Sequence, residues 1–67
     1  MNTNMLKGKM VEAGYTQRSL AKALNMSKNT LNSRINGKTA FDVDEVQRVC
    51  VLLNINSASD KCDIFLS

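Results

Sequence analysis

The stretch from residue 16 to residue 37 carries two short runs of apolar positions at helical spacing, with a polar break between them. In each run the apolar residues return every three or four positions, which is the spacing of a helix that packs one face against a core. The pattern therefore predicts two helices of about eight residues each, with polar side chains on their outer faces. The predicted inward residues are Leu20, Ala21, Leu24, Met26, Leu31 and Ile35.

Polar residues at the ends of the two runs indicate where each helix begins and ends. Thr16 and Ser27 are good N-caps, because a hydroxyl oxygen accepts hydrogen bonds from the free N–H groups of a first helical turn. Asn25 tolerates a left-handed backbone, so the first helix can end there and the chain can turn sharply. Asn36-Gly37 suits a left-handed stop to the second helix. Two short helices with so brief a connection must cross steeply, which is a helix-turn-helix arrangement.

Apolar residues before and after this motif predict elements that hold it in place. The run 2–13 has apolar residues on one face and predicts the first helix, with Gly14 as its stop. Tyr15 directly precedes the Thr16 cap, where its ring can pack on the following helix. After the motif, Phe41 is the expected apolar anchor of the connection. We therefore expect that connection to be ordered.

A capping signal and another apolar stripe predict a fourth helix. Asp42 and Glu45 have the spacing of a capping box, and the helix they open is the expected central packing element. Its apolar positions are Val46, Val49, Cys50 and Leu53. Asn54 can end this helix, and Ser57 or Ser59 can cap a short final one. That final helix carries Cys62, Ile64, Phe65 and Leu66.

Length and composition place the chain among small all-α domains. It has 67 residues, of which 43% are hydrophobic, so a core can form without membrane-like apolarity. Proline is absent and glycine occurs three times, which favours helices joined by short connections. No apolar run approaches the roughly 18 residues that span a bilayer, and no signal-type apolar region is visible at the N-terminus. We expect a single domain over residues 1–67, folded as a compact bundle of four to five helices in the cytoplasm.

Cysteines and acids give no support for catalysis or metal binding. Cys50 and Cys62 occur without any histidine, so neither a Cys/His zinc site nor a Cys-His nucleophile can form within one chain. We expect both thiols to be reduced and mostly buried, with a structural disulfide as the alternative. The neighbouring acids Asp42, Asp44 and Glu45 fit a helix start, and there is no glycine-rich phosphate loop. The sequence predicts no enzyme, no metal, no cofactor and no small-molecule ligand.

Charge is distributed unevenly along the chain. Residues 1–38 contain seven basic residues against one acid, a net charge of +6, whereas residues 39–67 contain two basic residues against five acids, a net charge of −3. Such an asymmetric molecule would direct its basic end toward a polyanion. The alternative is a solvated surface with chance clustering, but the helix-turn-helix pattern lies in the same basic half. Together they predict binding to nucleic acid.

Several short motifs lie in and beside the two helices. They are Thr16-Gln17, Leu20-Ala21, Leu24, Met26, Ser27 to Leu31, and Arg34 to Lys38. In these positions the chain resembles the lambda-repressor-like helix-turn-helix family, especially the small phage and prophage Cro-like and repressor proteins. The resemblance covers nearly the whole chain, and it implies a five-helix bundle that regulates transcription in a bacterial host. It also implies binding to double-stranded operator DNA as a dimer, with the second helix of the motif in the major groove.

The outer surface of the predicted helix over residues 28–35 carries hydrogen-bonding side chains suited to base edges. Lys28 suits the O6/N7 acceptor pair of guanine, and Asn29 can make two hydrogen bonds to N6 and N7 of adenine. Asn32 or Ser33 can contact a neighbouring base or a thymine methyl group. A solvated helix face is the alternative interpretation. Inside a complete helix-turn-helix pattern, these four residues are predicted to contact bases.

Other polar residues of the motif are predicted to contact the DNA backbone. They are Gln17, Arg18, Ser27, Asn36 and Lys38. Gln17 opens the second helix, where its side chain and the free N–H groups can hold a phosphate. For Arg34 the choice stays open between contacting DNA, covering apolar surface and pairing with an acid.

A second copy of the chain is implied by the size of the predicted helix over residues 28–35, which we call the reading helix. One such helix covers only about half a turn of operator, so specificity needs two copies on half-sites about 34–36 Å apart. The candidate interface is the C-terminal region with Ile55, Ile64, Phe65 and Leu66, although these side chains can instead close the core of a monomer. The alternative function is a protein-interaction module, antitoxin-like or antirepressor-like, that uses the same bundle.

Overall fold

The computed structural model describes residues 1–66, and helices are its only regular elements over that range. The helices are α1 (Thr3–Glu12), α2 (Gln17–Ala23), α3 (Lys28–Ile35), α4 (Val43–Leu52) and α5 (Ala58–Phe65). The predicted all-α bundle is confirmed, with five helices rather than four. Between residues 1 and 66 no helix is long and apolar enough to cross a membrane.

Each helix begins at a polar side chain that accepts a hydrogen bond from a backbone N–H group three residues later. These N-caps are Asn2, Thr16, Ser27, Asp42 and Ser57. Thr16 and Asp42 belong to reciprocal capping boxes, because the side chains of Ser19 and Glu45 accept hydrogen bonds from their backbone N–H groups in return. The predicted caps are confirmed, and of the two serines proposed for the last helix Ser57 is the one used.

Residues with a left-handed backbone follow four of the helices. Asn25 has a φ of 57° and Asn54 a φ of 58°, while Gly14 and Gly37 have a φ of 79°. This conformation favours glycine, which has no side chain, and asparagine, whose side chain is short and polar. The predicted stops are confirmed; at Asn36-Gly37 it is the glycine that adopts the left-handed conformation.

The core receives buried side chains from all five helices and from two connections. It comprises Leu6, Met10, Leu20, Ala21, Leu24, Leu31, Ile35, Val49, Cys50, Leu53, Ile55 and Ile64. The predicted inward face of the motif is therefore confirmed, except that Met26 is half-buried and packs against this core from its edge. Within this core α2 packs against α3 and α1 packs against α5, and α4 contributes buried Val49 and Cys50.

Hydrogen bonds and an ion pair attach α1 to the C-terminal end of α3 and to α5. The Asn2 backbone N–H group donates to the carbonyl oxygen of Ile64 at 2.8 Å, and the Thr3 hydroxyl donates to that of Ile35 at 2.8 Å. Lys9 on the same helix lies 3.4 Å from the carboxylate of Asp60 in α5. α1 thus fixes the C-terminal end of α3 relative to α5.

The two cysteines differ in their surroundings. Both are free thiols, but Cys50 is buried whereas Cys62 is exposed. The expectation that both are mostly buried is wrong for Cys62, because α5 turns only Ile64 fully into the core. Burial raises the pKa of the Cys50 thiol above its ordinary value, and the positive charge of Lys61 partly offsets that rise.

Candidate nucleic-acid interface

The α2–turn–α3 unit is closed by three backbone hydrogen bonds at its corner. The N–H groups of Leu24, Asn25 and Met26 donate to carbonyl oxygens of Leu20, Lys22 and Ala21, at 2.9, 3.1 and 3.0 Å. Because Asn25 adopts the left-handed conformation, the chain reverses within these residues and α3 begins at once. The corner is therefore a defined structure that sets the angle at which α3 leaves α2.

Two fully buried side chains determine which face of α3 points outward. Leu31 and Ile35 are 0% exposed. With both turned inward, Lys28, Asn29 and Asn32 are exposed and Ser33 is half-buried. The structure thus brings the four predicted base-contacting residues onto one helix, with Ser33 the most enclosed of them.

The four side chains differ in how far they are engaged within the protein. Neither Lys28 nor Asn29 has a side-chain partner within residues 1–66. The Oδ1 atom of Asn32 accepts a hydrogen bond from Nδ2 of Asn36 at 3.2 Å. The Ser33 side chain is limited by its partial burial, and its backbone oxygen accepts from the N–H group of Lys38 at 2.9 Å, which attaches the following loop to α3. The N-terminal half of this face is therefore the part whose side chains are available to a ligand.

The predicted backbone-contacting residues surround this face. Arg18, Ser27, Asn36 and Lys38 are exposed, and Gln17 is half-buried at the start of α2. The Ser27 hydroxyl accepts a hydrogen bond from the N–H group of Thr30 at 3.1 Å and donates to its hydroxyl at 2.8 Å. Because a hydroxyl has one proton, Ser27 in this arrangement cannot also donate to a phosphate.

Arg34 forms an ion pair within the protein. Its Nε atom lies 2.8 Å from Oε1 of Glu45, and the side chains are 23% and 16% exposed. The same Glu45 oxygen accepts the N–H group of Asp42 at 3.0 Å, so one carboxylate joins the end of α3 to the start of α4. Of the three roles that the sequence leaves open for Arg34, the structure shows the pairing with an acid. Glu45 is eleven residues away, so no local spacing points to this partner.

Positive charge without compensation is concentrated on the motif. Glu12 and Asp42 are the acids that flank it, and the residues between them include five cations and no acid. Apart from Arg34, these cations are exposed and form no ion pair with residues 1–66. They are Arg18, Lys22, Lys28 and Lys38. Lys22 is not among the candidates drawn from the sequence, although the acid-free stretch around it was a signal that could have included it.

An apolar groove of about 660 Å³ lies beside the end of α3. Phe41 and Phe65 meet edge to face in it, with ring centroids 5.9 Å apart, and Leu66 on its rim is 80% exposed. Of the four residues proposed from the sequence as an interface between copies, Phe65 and Leu66 line this groove. Ile55 and Ile64 are 2% and 0% exposed and close the core, so they cannot contact another molecule.

The chain matches the model of a known protein family. A family model described as Helix-turn-helix matches residues 6–58. Searches of the curated proteins and of the solved structures return no match. The matched range contains α2, the turn and α3 together with α4 and most of α1. The chain therefore belongs to the lambda-repressor-like helix-turn-helix family of DNA-binding regulators.

Proposed function

We propose that this chain is a transcriptional regulator, Cro-like or repressor-like, that binds a specific double-stranded operator with α3 in the major groove. The observation that carries the proposal is the outer face of α3. Burial of Leu31 and Ile35 turns hydrogen-bonding side chains outward on this face, and unpaired cations lie around them. An α-helix fits the B-DNA major groove, and phosphates supply the negative charge that these cations lack. The cytoplasm of a bacterial host is the expected place of action.

The base contacts follow from the chemistry of each outward side chain. Lys28 donates to O6 and N7 of guanine, and Asn29 makes a bidentate pair with adenine. The Asn32 oxygen already accepts from Asn36, so the remaining Nδ2 donors of Asn32 favour a base that presents an acceptor, such as thymine O4. Ser33, more enclosed, contacts a base only where the edge comes close to the helix. Each good bidentate pair contributes about 1–3 kcal/mol of discrimination.

The backbone contacts position α3 without reading sequence. Gln17 holds a phosphate at the start of α2, and Arg18 and Lys38 neutralise phosphates on either side of the reading helix. Asn36 donates through its remaining amide proton, and Ser27 contributes its backbone rather than its hydroxyl. Phosphate contacts of this kind supply much of the affinity and make it depend on salt.

The operator is proposed to be two-fold symmetric and bound by a homodimer. The groove beside the end of α3 is the proposed contact between copies, because it is apolar and its wall includes Arg34 and Gly37 at the end of the reading helix. In such a dimer the two copies of α3 must meet half-sites about 34–36 Å apart on one face of the duplex.

Selection of bound sequences from a random duplex pool tests this function. We expect enrichment of a two-fold-symmetric site whose half-sites are separated by about one helical turn. Enrichment of a single unrepeated half-site would refute the dimer but keep the regulator. If no sequence is enriched, the protein-interaction module becomes the better explanation, and the exposed apolar groove is the surface that favours it.

A further inference from the structure

A shallow groove of about 390 Å³ lies at the corner between α2 and α3. It borders the outer face of α3, which we call the reading face, at the N-terminal end of that helix. It is lined by Arg18, Ala21, Lys22, Asn25, Met26 and Lys28. Three of these six residues are cations, and none is an acid. For brevity we call it the corner groove.

Two cations of the corner groove lie where the protein itself gains little from positive charge. Arg18 is in the first turn of α2 and Lys28 is the first residue of α3, and the N-terminus of a helix disfavours cations. Both helices lack an acid in the first turn, whereas α4 has Asp44 and Glu45 there. The placement of Arg18 and Lys28 is therefore unfavourable for folding.

Lys22 adds to the same electrostatic repulsion. It follows Arg18 by four residues on α2, so the two like charges are neighbours on the helix surface, an arrangement that destabilises helices. Lys22 lies in the last turn of α2, where the helix dipole favours a cation. This interaction does not offset the unfavourable positions of Arg18 and Lys28. No ion pair within residues 1–66 compensates any of the three. An anion in the corner groove would remove the repulsion.

We propose that the corner groove binds a phosphate of the DNA backbone, held by Lys22 and Arg18, while Lys28 at its edge reaches the bases. This inference rests on the proposed function and extends it, because it brings the turn of the motif and Lys22 into contact with DNA. DNA is favoured over an acidic protein since Lys28 belongs both to the corner groove and to the reading face of α3. A duplex on that face presents its phosphates, one charge per about 1.7 Å of helix axis, beside the corner groove.

The test compares Lys22→Gln with Lys7→Gln, which makes the same charge change on α1, a helix that contributes no residue to the corner groove. Both lysines are exposed, so neither variant is expected to change the fold, and thermal melting checks this. Fluorescence anisotropy measures binding of each variant to the selected operator and to a random duplex from 50 to 200 mM salt.

Loss of one phosphate contact makes the slope of log K against log salt shallower by about 0.9. Between 50 and 200 mM salt, the affinity of such a variant should therefore fall by a factor that is about 3.5 times smaller than for wild type. We expect that change for Lys22→Gln on both duplexes and a smaller one for Lys7→Gln. Methylphosphonate, a neutral substitute, is then placed at each phosphate of a half-site in turn. At one phosphate position, the methylphosphonate should weaken DNA binding by wild type but leave DNA binding by Lys22→Gln unchanged.

The outcomes separate the corner groove from the function on which it rests. Wild-type binding to operator with an unchanged slope for Lys22→Gln would overturn the phosphate contact and leave the regulator intact. If wild type binds no duplex, the proposed function fails as well. An unchanged slope together with loss of binding to a polyglutamate peptide by Lys22→Gln would reassign the corner groove to an acidic protein.

Discussion

At the scale of single residues, the interface separates side chains that are free from side chains that are already bonded. Lys28 and Asn29 are exposed and unengaged, whereas Asn32 accepts from Asn36 and the Ser27 hydroxyl serves the α3 cap. Free side chains can meet a base without breaking a protein hydrogen bond. Specificity should therefore depend most strongly on the first turn of α3.

Replacing Asn29 distinguishes base reading from general attraction. Asn29→Ala is expected to lower the preference at one base position by about 1–3 kcal/mol, with little effect on random duplex. Lys38→Ala, the matched comparison, should weaken all sequences and lower the salt slope by about one. Anisotropy on single-base variants of the operator measures both. Equal weakening of specific and random binding by Asn29→Ala would exclude it as a base reader.

The ion pair between Arg34 and Glu45 is expected to contribute to stability. Glu45→Gln keeps an acceptor for the Asp42 N–H group but removes the charge opposite a mostly buried guanidinium, so we expect a loss of about 1–2 kcal/mol. For a domain of this size that lowers Tm by several degrees, about 4–8 °C per kcal/mol. Asp44→Asn changes the same charge in the same helical turn, where Asp44 is exposed, and serves as the control in calorimetry. Equal Tm values for the two variants would show that the ion pair contributes nothing.

At the scale of the helices, the caps, the stops and the inward faces could all be predicted because they depend on local sequence. Thr16, Asn25 and Ser27 act within a few residues of their own positions, so spacing alone reveals them. The Arg34–Glu45 pair and the exposure of Cys62 could not be predicted in this way. Both depend on how separate helices pack against one another, which periodicity within one helix does not encode.

The attachment of α3 to the core is tested at its centre. Leu31 is fully buried, so Leu31→Ala removes apolar contacts and leaves a cavity, with an expected cost of about 2–5 kcal/mol. A domain of this size has little stability to spare, and much of the population should unfold. Val51→Ala, at a residue that is 80% exposed, should change stability little. Thermal melts that agree within a degree or two for wild type and Leu31→Ala would contradict the assignment.

At the scale of the whole molecule, the apolar groove and the cations of the motif border on each other. The unpaired cations of the motif lie at the α2–α3 corner and in the loop after α3, and the groove of Phe41, Phe65 and Leu66 begins beside that loop. The aromatic residues and Leu66 differ from the proposed DNA-contacting residues, so DNA binding and self-association can be disturbed by different mutations.

Self-association is expected to depend on the rim of the apolar groove. Leu66→Gln should weaken dimer formation and binding to the two-fold operator while leaving Tm unchanged, because Leu66 is 80% exposed. Val11→Gln alters an equally exposed apolar residue on α1 outside this groove and should do neither. Sedimentation and operator titration measure the two properties. Dimers of undiminished strength in Leu66→Gln would place the contact elsewhere.

The freedom of Lys28 and Asn29 has a consequence for how such regulators diversify. Because neither side chain holds the fold together, both positions can accept new residues without a cost in stability, so a new operator preference can arise there by few substitutions. Asn32 and Ser33 are more restricted, since a change there also affects a hydrogen bond to Asn36 or the enclosed end of the helix. Libraries that retarget the protein to another site are therefore best randomised first at Lys28 and Asn29.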